Sequence, residues 1–97
     1  MPAQPIESEK VLERKLCART KDKGGLAIKL LSALMSGLPD RLLLFPGARL
    51  FFVEMKTTGK KPTKLQLLIH RRLEALGFPV YVIDSTEGIN EFFNKHF

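Results

Sequence analysis

Three residues of this chain, Asp40, Glu54 and Lys56, carry side chains that together suit phosphodiester hydrolysis. Glu54 and Lys56 are two positions apart, so on a β-strand they point to the same face. Hard divalent cations such as Mg²⁺ prefer oxygen ligands, usually one or two carboxylates plus substrate phosphate. Such an ion polarises a phosphoryl oxygen, and a nearby ammonium group neutralises the negative charge that develops. Two carboxylates, a metal ion and a lysine are therefore the minimum equipment for this reaction.

A predicted β-hairpin brings these three side chains together. Two apolar runs, Arg41–Phe45 and Leu50–Lys56, flank the tight turn at Pro46-Gly47. The hairpin pairs the start of the first strand with the end of the second, so Asp40 should lie beside Glu54 and Lys56. The second strand begins apolar on both faces, which predicts a central strand.

The remaining elements complete an α/β fold. A helical period from about Ile6 to Lys23 ends at Gly24-Gly25, and the apolar stretch that follows opens as a strand. Thr63 begins a second helix with a capping-box pattern that ends in Gln66. Further predicted elements are a strand over Pro79–Ile83 and a last helix capped by Ser85. The order α-β-β-β-α-β-α predicts a mixed central sheet of about four strands with helices on both faces, because a helix between strands implies a crossover.

Length and composition narrow the class of protein. The chain has 97 residues, of which 44% are hydrophobic and 27% charged, as expected for one globular domain over residues 1–97 with a loose tail at 1–5. No apolar run approaches the ~20 residues of a membrane span, and the N-terminus lacks the apolar core of a signal peptide. Cys17 is the sole cysteine, which excludes an intrachain disulfide and a cysteine-based zinc site. These features predict a cytoplasmic protein.

The basic residues are concentrated in one part of the chain. The net charge is +6, and the window from Lys56 to Arg72 supplies that excess without a single acid. A localised basic patch is typical of proteins that bind nucleic acid. The candidate DNA contacts are Lys60, Lys61, Lys64, Arg71, Arg72, Lys29 and Arg41.

The motifs resemble one nuclease family. Pro39-Asp40 followed by Glu54-Met55-Lys56 looks like the PD-(D/E)XK nuclease signature. The longer pattern is similar to the virus-type replication-repair nuclease (VRR-NUC) domain of phage and bacterial type, from about Glu9 to Phe93. It comprises Gly37-Leu38-Pro39-Asp40-Arg41, Phe52-Val53-Glu54-Met55-Lys56, Gln66 and Gly77-Phe78-Pro79-Val80-Tyr81-Val82-Ile83-Asp84. One departure is that the stretch before the PD, often glycine-rich and basic in the family, is here the more apolar Leu34-Met35-Ser36.

This resemblance implies a restriction-endonuclease-like core and Mg²⁺- or Mn²⁺-dependent cutting of DNA. It makes Asp40 and Glu54 metal ligands, with the carbonyl of Met55 as a possible third, and Lys56 the catalytic lysine. The family also has a glutamate on the first helix, for which Glu13 is the candidate and Glu9 the rival. Stand-alone members are similar to Holliday-junction resolvases, act as homodimers and take part in DNA repair. Branched DNA, with four-way junctions favoured, is therefore the expected substrate, and a homodimer the expected assembly.

Several alternatives stay open on the sequence. Gln66 is either the partner of Thr63 in the helix cap or a site residue. Leu30, Leu31, Leu34 and Met35 exceed what so small a core needs and are candidates for a dimer contact. His70 and His96 have no clustered partner and are predicted to lie on the surface. The chain could also be a non-catalytic nucleic-acid-binding module on a nuclease-like fold, or a nuclease that acts on flaps, splayed arms or one strand of a duplex.

Overall fold

The computed structural model describes residues 5–97, so the predicted loose tail lies outside the described residues except for Pro5. The elements follow in the predicted order α-β-β-β-α-β-α. They are α1 (Glu9–Asp22), β1 (Leu26–Lys29), β2 (Arg41–Phe45), β3 (Arg49–Met55), α2 (Lys64–Ala75), β4 (Val80–Ile83) and α3 (Thr86–His96). No helix within residues 5–97 combines the length and the apolar character that crossing a membrane requires.

The four strands form one mixed sheet in the order β1-β2-β3-β4. The β1-β2 and β2-β3 pairs are antiparallel, whereas β3 and β4 run parallel. The parallel pair needs a crossover, and α2 supplies it between the two strands. The predicted mixed sheet and the central position of β3 are both confirmed.

The first helix begins later than predicted. It starts at Glu9 rather than near Ile6, because the hydroxyl of Ser8 accepts a hydrogen bond from the Val11 N–H at 3.2 Å and so caps the helix. The preceding residue, Glu7, lies outside the helix, and its backbone N–H donates to the Thr58 hydroxyl at 3.0 Å. Its carboxylate accepts from the Lys15 ammonium at 2.7 Å and from the backbone N–H of Thr86 at 2.8 Å. The segment before α1 is thus tied to the start of α3.

The hydrophobic core lies between the sheet and the pair α1–α3. Leu12 and Leu16 of α1 are fully buried against Val53 and Met55 of β3, and Phe93 of α3 joins the same cluster. Each such side chain contributes roughly 1.5–3 kcal/mol by leaving water. Val53 and Met55 occupy odd positions of β3, so the even positions, which include Glu54, face the other side of the sheet.

The second face of the sheet is covered only in part, by α2. The buried residues of α2 are Ile69 and His70, whereas Leu65 and Leu68 are exposed. On the sheet itself Leu26, Leu50 and Val82 retain 59%, 38% and 44% of their accessible surface. Helices lie on both faces as predicted, but the second face keeps a large apolar area in contact with water.

Candidate active site

The register of the β2-β3 hairpin determines where Asp40 lies. Arg41 pairs with Val53, so Asp40, one residue earlier, lies opposite Glu54. Both carboxylate oxygens of Asp40 accept hydrogen bonds from the Met55 N–H, at 3.2 and 3.1 Å. The backbone at the end of β3 therefore holds Asp40 in place, which agrees with the pairing expected from the turn at Pro46-Gly47.

A cleft of about 330 Å³ opens where these residues meet. Polar side chains from α1, the end of β1, β3 and α2 line it together with the loop that leads into β2. The lining residues are Glu9, Glu13, Lys29, Leu30, Leu31, Ser32, Leu38, Asp40, Glu54, Lys56 and Gln66. The structure thus brings the predicted Asp40, Glu54 and Lys56 into one cleft, together with Gln66 and both candidate glutamates of the first helix.

Glu54 is the most enclosed of these side chains, with only 3% of its surface accessible. Its Oε2 atom lies 3.4 Å from the amide nitrogen of Gln66, which donates to it, and 3.6 Å from the ammonium nitrogen of Lys56. Its Oε1 atom lies 3.6 Å from Nε2 of His70. Nitrogen atoms therefore approach both oxygens: α2 supplies one to each oxygen, and Lys56, just after β3, supplies another to Oε2.

Gln66 serves the helix cap and the cleft with a single side chain. Its Oε1 accepts from the Thr63 N–H at 2.9 Å, and the Thr63 hydroxyl accepts from the Gln66 N–H at 3.1 Å, which completes the predicted capping box. Because the amide oxygen is engaged by the cap, the amide NH₂ is left to face Glu54. The two interpretations of Gln66 left open by the sequence are compatible.

Negative charge on the partly buried Asp40 and the buried Glu54 is unfavourable without a cation nearby. Burial raises the pKa of Asp40, and the neighbouring charge of Glu54 raises it further. Burial also raises the pKa of Glu54, and the Lys56 ammonium opposes this shift. A cation bound between them would offset this cost, because a carboxyl group ligates a cation in its ionised form.

The first helix adds two glutamates to the same side of the cleft. Carboxylate oxygens of Glu9, Glu13 and Asp40 all lie within 4.8 Å of one another, which is close enough to share an ion. Glu13 Oε2 also lies 3.4 Å from a guanidinium nitrogen of Arg41, whose side chain is only 13% exposed. Arg41, predicted to contact DNA, is thus turned toward the protein and orients a candidate ligand.

The remaining predicted DNA contacts lie outside the cleft, apart from Lys29, which lines it. Lys60 and Lys61 are exposed on the loop between β3 and α2, and Lys64 is exposed at the first position of α2. Arg71 and Arg72 are exposed further along that helix.

The surface prediction is wrong for His70, whereas His96 is partly exposed. His70 retains only 4% of its accessible surface, because α2 turns this position inward toward Glu54. Burial lowers the pKa of His70, which favours the neutral imidazole. His96 is half-buried, and its ring packs 4.9 Å from the ring of Phe51. The sequence feature that could have placed His70 near the site is its spacing of four residues from Gln66, because residues with this spacing share one face of a helix.

Gly37 fits the loop before Asp40 closely against α2. Its φ of +88° lies in the left-handed region that favours glycine. A Cβ atom there would lie 2.9 Å from the backbone oxygen of Leu65 and 2.8 Å from Cγ1 of Ile69. The glycine that precedes the Pro-Asp pair is therefore required both by its backbone conformation and by the space available.

Comparisons with known proteins identify relatives. A phage protein named "Putative nuclease p44", from Acyrthosiphon pisum secondary endosymbiont phage 1, is 43% identical over 79 residues, which are 81% of this chain and 85% of that protein. A solved structure described as a VRR_NUC domain superposes with a TM-score of 0.82 at 29% identity, covering 94% of this chain and 100% of the other. No family model matches the chain.

Proposed function

The chain belongs to the VRR-NUC family of nucleases, and from that premise we propose that it is a metal-dependent endonuclease that hydrolyses phosphodiester bonds in branched DNA, with four-way junctions favoured. The observation that supports the chemistry is the meeting of Asp40, Glu54 and Lys56 in one cleft. The preference for branched DNA comes from the resemblance to stand-alone members of the family.

The cleft suits Mg²⁺ or Mn²⁺. Its donors are carboxylate oxygens, which hard divalent cations prefer. Burial disfavours the charge on Asp40 and Glu54, and Oε1 of Glu54 is buried without a hydrogen-bond partner among residues 5–97. Asp40 and Glu54 would hold the ion, with Glu13 and the Met55 carbonyl as further proposed ligands and Glu9 as the rival of Glu13. The bound ion supplies Lewis acidity toward a phosphoryl oxygen of the substrate.

The protein's own groups then have separate tasks. Lys56, with its ammonium 3.6 Å from Glu54, neutralises the negative charge that develops on the scissile phosphate and orients the attacking water. Gln66 holds Oε2 of Glu54. Arg41 orients Glu13 from behind. The proposed contacts with the DNA backbone are exposed basic residues, namely Lys60, Lys61, Lys64, Arg71, Arg72 and Lys29.

A homodimer is the second part of the proposal. The second face of the sheet keeps Leu26, Leu50 and Val82 partly exposed, and Leu34 before β2 is 76% exposed. An apolar area of this kind is typical of an interface. A twofold dimer would place two clefts on one symmetric junction for paired cuts. A mass measurement by light scattering should give twice the chain mass, and Leu34→Glu should shift it toward the monomer.

The test of the activity uses a labelled panel of DNA structures. Wild-type protein is incubated with a four-way junction, a flap, a splayed arm and a linear duplex in Mg²⁺, Mn²⁺ or EDTA. We expect cutting of the junction that EDTA abolishes. Asp40→Asn and Glu54→Gln should each lower the rate by at least about 100-fold, whereas the control Glu91→Gln, an exposed acid on α3, should not.

Two outcomes would contradict the proposal. Full activity of Asp40→Asn or Glu54→Gln would remove these residues from the site. Retardation of the junction on a gel without metal-dependent cutting would instead support the non-catalytic binding module. Parallel assays with Glu13→Gln and Glu9→Gln identify the first-helix ligand. Only substitution of the residue that binds the ion should raise the Mn²⁺ concentration needed for half-maximal cutting.

A further inference from the structure

Two buried polar atoms face each other behind the cleft. Nε2 of His70 and Oε1 of Glu54 lie 3.6 Å apart. Both side chains are almost fully enclosed, at 4% and 3% exposure. Neither atom has a hydrogen-bond partner among the described residues 5–97. Buried polar atoms without a partner are costly, so each unpaired atom in a protein calls for an explanation.

Within residues 5–97, Glu54 is the one acid whose carboxylate lies within ion-pair distance of His70. Oε2 of Glu54 is already approached by the amide of Gln66 and the ammonium of Lys56, which leaves Oε1 for His70. The next acid along α2, Glu74, is exposed and forms no ion pair with His70 within residues 5–97. A closure of less than 1 Å would convert the contact into a hydrogen bond of ordinary length.

Helix geometry makes this a paired arrangement. Gln66 and His70 are four residues apart on α2 and therefore lie one above the other on one helix face. Gln66 reaches one oxygen of Glu54 and His70 the other. A nitrogen atom of α2 thus lies beside each oxygen of Glu54, and hydrogen bonds from both would restrict rotation of the carboxyl group about its terminal bond. His70 does not line the cleft, so an effect of His70 on the cleft would pass through Glu54.

We propose that His70 is a positioning residue that donates its Nε2 proton to Oε1 of Glu54 and fixes the orientation in which that carboxylate binds a divalent cation. The inference rests on the proposed function, because it takes Glu54 to be a ligand. Groups that orient a ligand from behind typically change metal affinity or activity 10–100-fold when removed.

The first test measures Mn²⁺ binding by calorimetry on the full chain without DNA. His70→Gln keeps a donor near the position of Nε2, whereas His70→Phe keeps a flat ring without one. We expect His70→Gln to bind Mn²⁺ within about 3-fold of wild type and His70→Phe to bind at least about 10-fold more weakly. Thermal unfolding without metal checks that both variants fold. Equal Mn²⁺ affinity in folded His70→Phe and wild type would overturn the inference.

The second test needs no variant and therefore stands even if His70→Phe fails to fold. Nitrogen chemical shifts of the imidazole, recorded by NMR on wild-type protein, report which ring nitrogen carries the proton. We expect the proton on Nε2 and a change in its resonance on addition of Mg²⁺. An imidazole protonated only on Nδ1 would contradict the inference, since Nε2 could not then donate.

The two proposals fail in different ways. Wild-type protein that neither binds Mn²⁺ nor cuts DNA would overturn the proposed function, and the role of His70 with it. Wild-type protein that binds and cuts, combined with His70→Phe that binds Mn²⁺ equally well, would overturn the role of His70 alone.

Discussion

Gly37, in the loop before Asp40, and Gly47, in the hairpin turn, differ in the space that a side chain would have at each position. Gly37 and Gly47 have φ values of +88° and +81°, so alanine at either position meets a similar backbone penalty. A Cβ atom at Gly47 would have nothing within 4 Å, whereas at Gly37 it would lie 2.9 Å from the backbone oxygen of Leu65. The contact with α2 is therefore the difference between Gly37→Ala and Gly47→Ala.

The expected magnitudes follow from this comparison. A left-handed conformation costs an L-residue roughly 1–2 kcal/mol, and the lower entropy of unfolded alanine offsets part of that cost. Gly47→Ala should therefore lower the free energy of unfolding by about 1 kcal/mol. Gly37→Ala adds an overpacking cost of about 1–3 kcal/mol, because the backbone oxygen of Leu65 cannot move without the helix. For a domain of this size, each kcal/mol lowers the melting temperature by roughly 4–8 °C.

Urea unfolding, followed by circular dichroism, measures both variants against wild type. DNA cleavage should also fall in Gly37→Ala, since Asp40 lies three residues further along, and should remain near wild type in Gly47→Ala. Equal free energies of unfolding for the two variants would refute the reasoning, because the close approach to α2 would then have no energetic weight.

Further predictions concern the helix cap, acid stability and DNA binding. Thr63→Ala should lower the free energy of unfolding by about 1 kcal/mol through loss of the N-cap acceptor, and Thr63→Ser should restore it. Hydrogen bonds from Lys15 and from Thr86 lower the pKa of the Glu7 carboxyl from 4.5 to about 2, so their stabilising effect is present above pH 4.5 and lost as the pH falls toward 2. The stability difference between wild type and Glu7→Gln, measured by urea unfolding, should shrink over that range, and a constant difference would contradict this assignment. Removing both Lys60 and Lys61 should lower the salt slope of duplex binding by about 1.8, at about 0.9 per phosphate contact, whereas Lys95→Gln on α3 should leave it unchanged.

The sequence predicted those parts of the site that depend on short-range geometry. The turn at Pro46-Gly47 determines the register of the hairpin, and the register determines that Asp40 lies opposite Glu54. The cap at Thr63 was readable because both of its hydrogen bonds join residues three positions apart. In each case the partners are close in the chain, so spacing alone is informative.

The burial of His70 and the contact of Arg41 with Glu13 were not predicted, because both depend on which way a helix or strand faces. A helix that packs on an apolar sheet is expected to bury its leucines. On that expectation a polar residue such as His70 faces solvent. Here α2 packs partly against the carboxylate of Glu54, so a polar ring occupies the buried position while Leu65 and Leu68 remain exposed. Arg41 illustrates the same limit, because only its pairing with Val53, on the α1 side of the sheet, explains why it meets Glu13 rather than solvent.

The side chain of Gln66 links the start of a helix to the chemistry beside it. Its amide oxygen closes the first turn of α2, and its amide nitrogen holds Glu54. Fraying of that turn should therefore release the carboxylate of Glu54, and a ligand that orders this carboxylate should in turn stabilise the first turn of α2. The backbone N–H of Gln66 donates to the hydroxyl of Thr63. Its hydrogen-exchange rate, measured without substrate, thus reports how often this turn opens and leaves Glu54 unheld.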